Sequence, residues 1–221
     1  MKNAKNNVVE LKGTIVTEFQ YSHEMVGEKF YVVYVESMRN SGVVDRVPII
    51  ISERLTDVTI NCIGKFAVIN GEFRSYNKKT ENKSSLLLHL FVNEIHILEK
   101  KLEDENYISL TGFVCKPPIY RTTPLGREIA DVMLATNRSY GKSDYIPCIL
   151  WGRNAKYAQK IEVGMTIKVE GRIQSRKYVK KYDDYEEERT TYEVSVNVIE
   201  MLDKVIQITV ADPEERQIRI G

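Results

Sequence analysis

Asn7-Val8-Val9-Glu10-Leu11-Lys12-Gly13 and Asn106-Tyr107-Ile108-Ser109-Leu110-Thr111-Gly112 share one pattern, N-x-h-x-L-x-G with h apolar, at an offset of 99. At that offset Val33 falls on Val132, Val35 on Leu134, Arg39 on Arg138, Asp45 on Asp144 and Pro48 on Pro147. Gly64, Gly71 and Ser75 then meet Gly164, Gly171 and Ser175, one residue further apart. Val92-Asn93-x-Ile95 meets Val196-Asn197-x-Ile199 at an offset of 104. Order, polarity and spacing are kept together, so the chain contains an internal repeat. Each unit is about 95 residues, and Lys100-Lys101-Leu102-Glu103-Asp104-Glu105 is a charged seam between them. The expected division is 1–103, 104–204 and a short C-terminal strand or tail over 205–221.

Within each unit the period is two. Val9, Leu11, Gly13 and Ile15 alternate with polar residues, as do Ile108, Leu110, Gly112 and Val114, and again Ile167, Val169, Gly171 and Ile173. That spacing puts one apolar face on each strand. The isolated glycines Gly13, Gly71, Gly112 and Gly171 predict bulges or bends where a small barrel turns a corner. Arg153–Ile161 is helix-prone, with Ala155, Ala158 and Ile161 on one side and a stop near Gly164; its counterpart spans about Glu53 to Ile60. Five strands with a helix between the third and fourth is the order of an OB-fold. The expected class is all-β with one short helix per unit, as two tandem OB-fold barrels.

Composition narrows the chemistry. The 221 residues carry 32 Lys+Arg against 31 Asp+Glu, a formal charge of +1, which excludes a strongly cationic arm; affinity for a polyanion must come from local charge. Residues 1–105 hold 14 basic and 15 acidic side chains, residues 106–203 hold 15 and 13, and residues 204–221 hold 3 and 3. Cys62, Cys115 and Cys148 are odd in number and lack metal-ligand spacing, so they read as structural thiols. His23, His89 and His96 show no ligand spacing, and no nucleophile has a local partner, so neither a catalytic residue, a metal nor a cofactor is expected. Gly141-Lys142-Ser143 ends like a phosphate-binding loop, but Thr136 stands where that pattern needs glycine, and a hairpin turn is expected instead. Met1–Asn7 lacks the apolar stretch of a signal peptide, and no run approaches a membrane span, so a cytoplasmic protein without membrane contact is expected.

The second unit carries a longer motif string: N-x-I-x-L-T-G over 106–112, P-P-I-Y-R-T-T-P-L-G over 117–126 and V-M-L-A-T-N-R over 132–138. D-Y-I-P-C-I-L-W-G over 144–152, V-E-G-R-I-Q-S-R-K-Y over 169–178 and T-T-Y-E-V-S-V-N-V-I over 190–199 follow. In this order they resemble the bacterial single-stranded-DNA-binding (SSB) protein family; the first unit resembles it weakly, largely through the repeat. The resemblance implies an OB-fold that stacks bases on aromatic rings and takes phosphates on basic residues. It assigns base stacking to Tyr140, Tyr145, Trp151 and Tyr178. Stacking is tolerant of sequence because every base has a π-face. Tyr145 and Trp151 are six residues apart and so share a strand face, with Ile146 on the opposite one. Phosphate candidates are Arg121, Arg127, Arg138, Lys142, Arg153, Arg172, Arg176 and Lys177, with Lys180 and Lys181 further along the last hairpin. Arg121, Arg153 and Lys177 also match basic positions used in the family.

Carried back through the repeat, Tyr140 maps to Ser41, Tyr145 to Arg46, Trp151 to Ser52 and Tyr178 approximately to Lys78, none aromatic. The first barrel is therefore expected to scaffold or pair subunits and to bind DNA weakly. Arg39, Arg46, Arg54, Arg74, Lys78 and Lys79 remain as phosphate contacts there, and Phe30, Tyr31, Tyr34 and Tyr76 are the rings that would reverse the expectation. In the second unit, Lys177–Thr191 mixes Tyr178, Lys180, Lys181, Tyr182 and Tyr185 with Asp183, Asp184 and Glu186–Glu188, an acidic tip that reads as a solvated loop end or, as the alternative, as a competitor with DNA for neighbouring cations. The family works with four OB-folds per assembly, which implies a homodimer. Its acidic C-terminal tip, which recruits replication and repair proteins, has no counterpart here; Val205–Val210 alternates like a further strand packing on a barrel or second subunit. The reading is a non-enzymatic protein of the bacterial cytoplasm and nucleoid that coats single-stranded DNA in replication, recombination or repair. The alternatives are a protein–protein module of a primosome-like or phage replication complex, and an RNA-binding protein.

Overall fold

The alternating apolar residues become strands that each bury one face. The computed structural model describes residues 5–80, 83–138, 141–181 and 185–202. The first unit contains β1 (Asn7–Ile15), β2 (Gln20–Met25), β3 (Glu28–Met38), β4 (Val44–Ser52), β5 (Phe66–Thr80) and β6 (Lys83–Leu98). The second contains β7 (Glu105–Val114), β8 (Ile119–Thr122), β9 (Glu128–Asn137), β10 (Ser143–Trp151), α1 (Arg153–Ala158), β11 (Thr166–Lys181) and β12 (Glu186–Met201). In β1 the buried residues are Val9, Leu11 and Ile15, and in β7 they are Ile108, Leu110 and Val114, as period two requires.

The strands run β2-β3-β4-β6-β5-β1-β7-β11-β12-β10-β9-β8. Two further pairings, β1 with β3 and β7 with β9, close each half on itself, so each unit is a small barrel. At the closures a Cβ on Gly13 or Gly112 would overlap the backbone carbonyl of Glu36 or Ala135, and two further glycines serve the long hairpins. The ladder shifts register between Asn70 and Gly71, and again between Glu170 and Gly171. A Cβ at Gly71 or Gly171 would overlap the backbone carbonyl of Phe91 or Ser195, so only glycine lets these strands cross so closely.

Two expectations change. Among the described residues each unit has six strands rather than five, because β2 and β8 fold back on β3 and β9 as short edge strands whose residues are all exposed. The expected helix forms only in the second unit, where Ala155 and Ala158 are buried. The first unit's Glu53–Ile60 is a run of turns. Asp57 accepts hydrogen bonds from the Thr59 N–H (3.0 Å) and hydroxyl (2.6 Å), and the Ser52 hydroxyl accepts from the Arg54 N–H at 3.1 Å. Those side chains capture backbone groups a helix would use, and Thr56, Val58, Thr59 and Ile60 are β-branched. The expected strand at 205–210 and the tail to 221 lie outside the described residues.

The repeat is legible in the way the units join. β1 pairs antiparallel with β7 from Asn7 opposite Leu110 to Lys12 opposite Glu105. Arg39 grips Asp45 and Arg138 grips Asp144, each carboxylate being buried. Asp45 accepts the Ser175 N–H from the other unit (3.1 Å), and Asp144 accepts the Ser75 N–H (2.5 Å). The two serine hydroxyls accept in turn from the Arg46 N–H (3.2 Å) and the Tyr145 N–H (2.9 Å). A buried carboxylate is tolerable only with such a full set of donors, so matched residues of the repeat build matched clasps across the seam.

Candidate nucleic-acid interface

On β10, Asp144, Ile146, Cys148 and Leu150 point into the barrel, while Tyr145, Pro147 and Trp151 lie on the outward face. Ile149, four residues from Tyr145, shares that face and is nonetheless buried. Tyr145 is 44% exposed. Trp151 is half-buried, its indole N–H donating to the Ser195 hydroxyl on β12 at 3.2 Å, which fixes the ring's tilt. Tyr178 continues the outward face along β11, 38% exposed and directly opposite Arg189. Tyr140 lies outside the described residues. Three of the four rings are therefore brought onto one barrel surface.

The basic candidates divide into three groups. Arg127, on the turn from β8 to β9, Lys142, on the turn into β10, and Arg153, at the start of α1, are exposed. Arg121, Arg176 and Lys177 are exposed but held by carboxylates. Arg121 Nε is 2.7 Å from Asp131, Lys177 Nζ is 2.9 Å from Glu188, and Arg176 Nε is 3.7 Å from Glu193. Such exposed pairs are worth little and yield readily to a phosphate. Arg138 and Arg172 belong to the seam. Arg138 is committed to Asp144 and to the Ser75 carbonyl at 2.8 Å. Arg172 lines a cleft of about 360 Å³ with Arg39, Ser37, Ser41 and Asp104. Its buried Nε has no hydrogen-bond partner among the described residues. Burial, with Arg39 nearby, holds its guanidinium below the usual arginine range.

The acidic hairpin tip is charge-balanced where it is described. Lys180 stands opposite Glu187 and Lys181 opposite Glu186, and Arg189 bonds Glu187 at 2.8 Å. Asp183 and Asp184 are outside the described residues. Gly141 has φ 70 and the Arg138 N–H donates to the Lys142 carbonyl at 2.7 Å, the closure of a hairpin turn. Cys62 and Cys148 are buried, and the half-buried Cys115 thiol donates to the Met133 carbonyl at 3.3 Å. Among the described residues, no group of three or more His, Cys, Asp or Glu is placed to hold a metal, and no helix is long and apolar enough to cross a membrane.

The first unit holds rings that position-by-position mapping does not reach. Phe91 on β6 lies under Arg74, whose guanidinium carbon is 3.7 Å from the ring centroid, and Glu72 holds Arg74 at 2.9 and 3.1 Å. Tyr34 on β3 lies under Arg46 at 4.9 Å. Tyr76 on β5 is 60% exposed. Phe30 is buried between His23, stacked at 5.0 Å, and Phe91 at 5.8 Å, while Tyr31 packs against the core and Tyr21. The signal was the pairing of neighbouring strands: Ile50 opposite Phe91 in one unit corresponds to Ile149 opposite Ser195 in the other. Near these rings, burial pushes His89 down to about 4, reinforced by Arg138 and Arg74. Across the seam, burial pushes Tyr192 up to about 12, with Tyr34 adding to the shift.

Residues 105–202 match the single-strand binding protein family. The chain is 39% identical over 83 residues to single-stranded DNA-binding protein B of Bacillus subtilis (strain 168), covering 33% of this chain and 71% of that protein. It is 36% identical over 80 residues to single-stranded DNA-binding protein 1 of Staphylococcus aureus (strain COL), of which it spans 48%. The crystal structure of wild-type single-stranded DNA binding protein from Thermus aquaticus superposes with a TM-score of 0.70 at 19% identity, covering 90% of this chain and 93% of that one. A deletion mutant of that Thermus protein gives 0.68 at 18% identity over 95% of this chain and 98% of its own. At those identities the likeness concerns the fold, and it extends the tandem arrangement of two OB units over both halves.

Proposed function

Because this chain belongs to the single-strand binding protein family, whose members are not enzymes, we propose that it binds single-stranded DNA with little base preference and protects it during replication, recombination or repair. The observation that carries the reading is the outward face of the second unit, where Tyr145, Trp151 and Tyr178 share one surface. Exposed Lys142 and Arg153, together with the loosely paired Arg176 and Lys177, supply cations around it. Rings take bases of any identity, and cations exchange counterions for phosphates. Arg138 and Arg172, by this reading, serve the seam more than the strand.

The functional units are 1–103 and 104–204, and the assembly is a homodimer presenting four OB units in the bacterial cytoplasm. The test is fluorescence anisotropy of labelled oligo-dT, oligo-U and duplex DNA with the full chain at two salt concentrations. Tight oligo-dT binding that weakens with salt, and weaker duplex binding, is the expected result. A preference for oligo-U selects the RNA reading, and the absence of binding to all three selects a protein–protein module.

A further inference from the structure

The loss of aromatic residues from the first unit is true of positions but not of space. In the second unit a large ring on β10 (Trp151) leans on a small residue of β12 (Ser195). In the first, the corresponding residue of β4 is small (Ser52), and the large ring comes from β6 (Phe91), the residue matched to Ser195. The exchange is reciprocal across a pair of strands with the same parallel register. A second exchange accompanies it. Tyr145 on β10 corresponds to Arg46 on β4, and Arg46 lies over Tyr34 on neighbouring β3, where the second unit has Met133. Along the hairpin, Tyr178 is replaced by Tyr76, on the outward face of β5 with Glu72 and Arg74 and nearer the barrel.

Phe91 and Tyr76 face outward, and Tyr34, half-buried under Arg46, also meets Tyr192 of the second unit. Phe73, Leu88 and Leu90 fill the core from the opposite sides of β5 and β6, so Arg74, Tyr76 and Phe91 lie on the solvent side. Two rings are surmounted by arginines, and Arg74 is anchored by two hydrogen bonds to Glu72. A guanidinium lying over a ring sets a cation on that ring's outer side. Bases stack on guanidinium planes as they do on aromatic rings, and the charge also attracts the backbone.

From this we infer that the first unit carries a second surface for single-stranded DNA, built from Phe91 with Arg74, Tyr34 with Arg46, and Tyr76. The inference rests on the reading of the second unit as a DNA-binding barrel and adds a second segment of strand to it. With both surfaces engaged, one chain covers roughly twice the length that one OB unit covers, itself about 4–16 nucleotides.

The two claims are separable because Trp151 is the only tryptophan and reports the second unit alone. The experiment uses the full chain with Arg74→Gln and Tyr76→Ala, both side chains lying outside the core, and follows Trp151 emission and the anisotropy of labelled oligo-dT of increasing length. Unchanged thermal melting of the double variant establishes that it is folded; should it melt early, Tyr76→Ala alone is used. For a short oligonucleotide, the variant should match the parent in both signals. For a long one, affinity should fall about 10-fold or more, since losing one stacked base alone costs roughly 5- to 100-fold, and the occluded length should shorten. A variant that binds long oligo-dT as tightly as the parent, with the same occluded length, overturns the second surface and leaves the first reading standing. A parent that binds no oligo-dT overturns both.

Discussion

The two barrels cover the same outward face with different strands. In the second, Trp151 reaches from β10 and Ser195 on β12 receives it; in the first, Phe91 rises from β6 opposite Ile50 on β4, and Arg74 closes over it. The scaffold beneath is nearly duplicated, down to the Arg39–Asp45 and Arg138–Asp144 clasps and the serines that reach across the seam. The comparison teaches that the buried frame of a repeat keeps its positions while its exposed surface keeps only its chemistry. Rings on adjacent strands are neighbours in space, so either strand can supply one.

Breaking the shared frame should give the largest effects, equal in the two halves. Gly71→Ala and Gly171→Ala each force a Cβ into a backbone carbonyl, and each should cost roughly 3 kcal/mol or more in denaturant unfolding. A cost under about 1 kcal/mol at either site would break the equivalence of the crossings. Asp45→Asn and Asp144→Asn each strand an arginine beside a weakened partner, and losses of about 3 kcal/mol are expected at both.

Acid should then separate the halves. His89 in the first unit, close to Arg138, Arg74, Asp144 and His23, has its pKa lowered to about 4, and the residue matched to it through the repeat is Glu193. A histidine held neutral in the fold contributes its full stability above the unfolded value near 6.5. That contribution is lost as pH falls from there towards 4, by up to about 3 kcal/mol. Unfolding measured between pH 7 and pH 4 should show this fall in the parent, and His89→Gln should flatten it; an unaltered slope would remove His89 from the account.

The smallest effect concerns the surface charges of the second unit. Neutralising Glu186, Glu187 and Glu188 together releases Lys177 and its neighbours, and should tighten oligo-dT binding a few-fold at low salt, with no gain at high salt. No tightening at low salt would remove the tip as a competitor for the phosphate sites.

The barrels were legible because period-two burial, strand glycines and a repeat of matched buried residues all depend on local spacing. The Arg–Asp matches already pointed at the clasps. Less legible was the missing helix of the first unit, where Asp57 and Ser52 recruit backbone groups into turns against a pattern that otherwise aligns with α1. Least legible was the ring set of the first unit. Tyr34 and Tyr76 stand out in the sequence as rings, but Phe91 does not, and Tyr34 meets Arg46 and Phe91 meets β4 only once β4 pairs with β3 and β6. Among the basic candidates, charge alone could not distinguish Arg138, turned inward to Asp144, from exposed Arg153.

The most direct test of the central claim, that bases stack on the outward face of the second unit, is Trp151 emission during titration with unlabelled oligo-dT. A saturable fall in emission that reverses on adding salt is the predicted result, with Tyr145→Ala weakening the binding by about 1–3 kcal/mol. Emission that stays unchanged at concentrations where a labelled oligo-dT shows binding by anisotropy would contradict it.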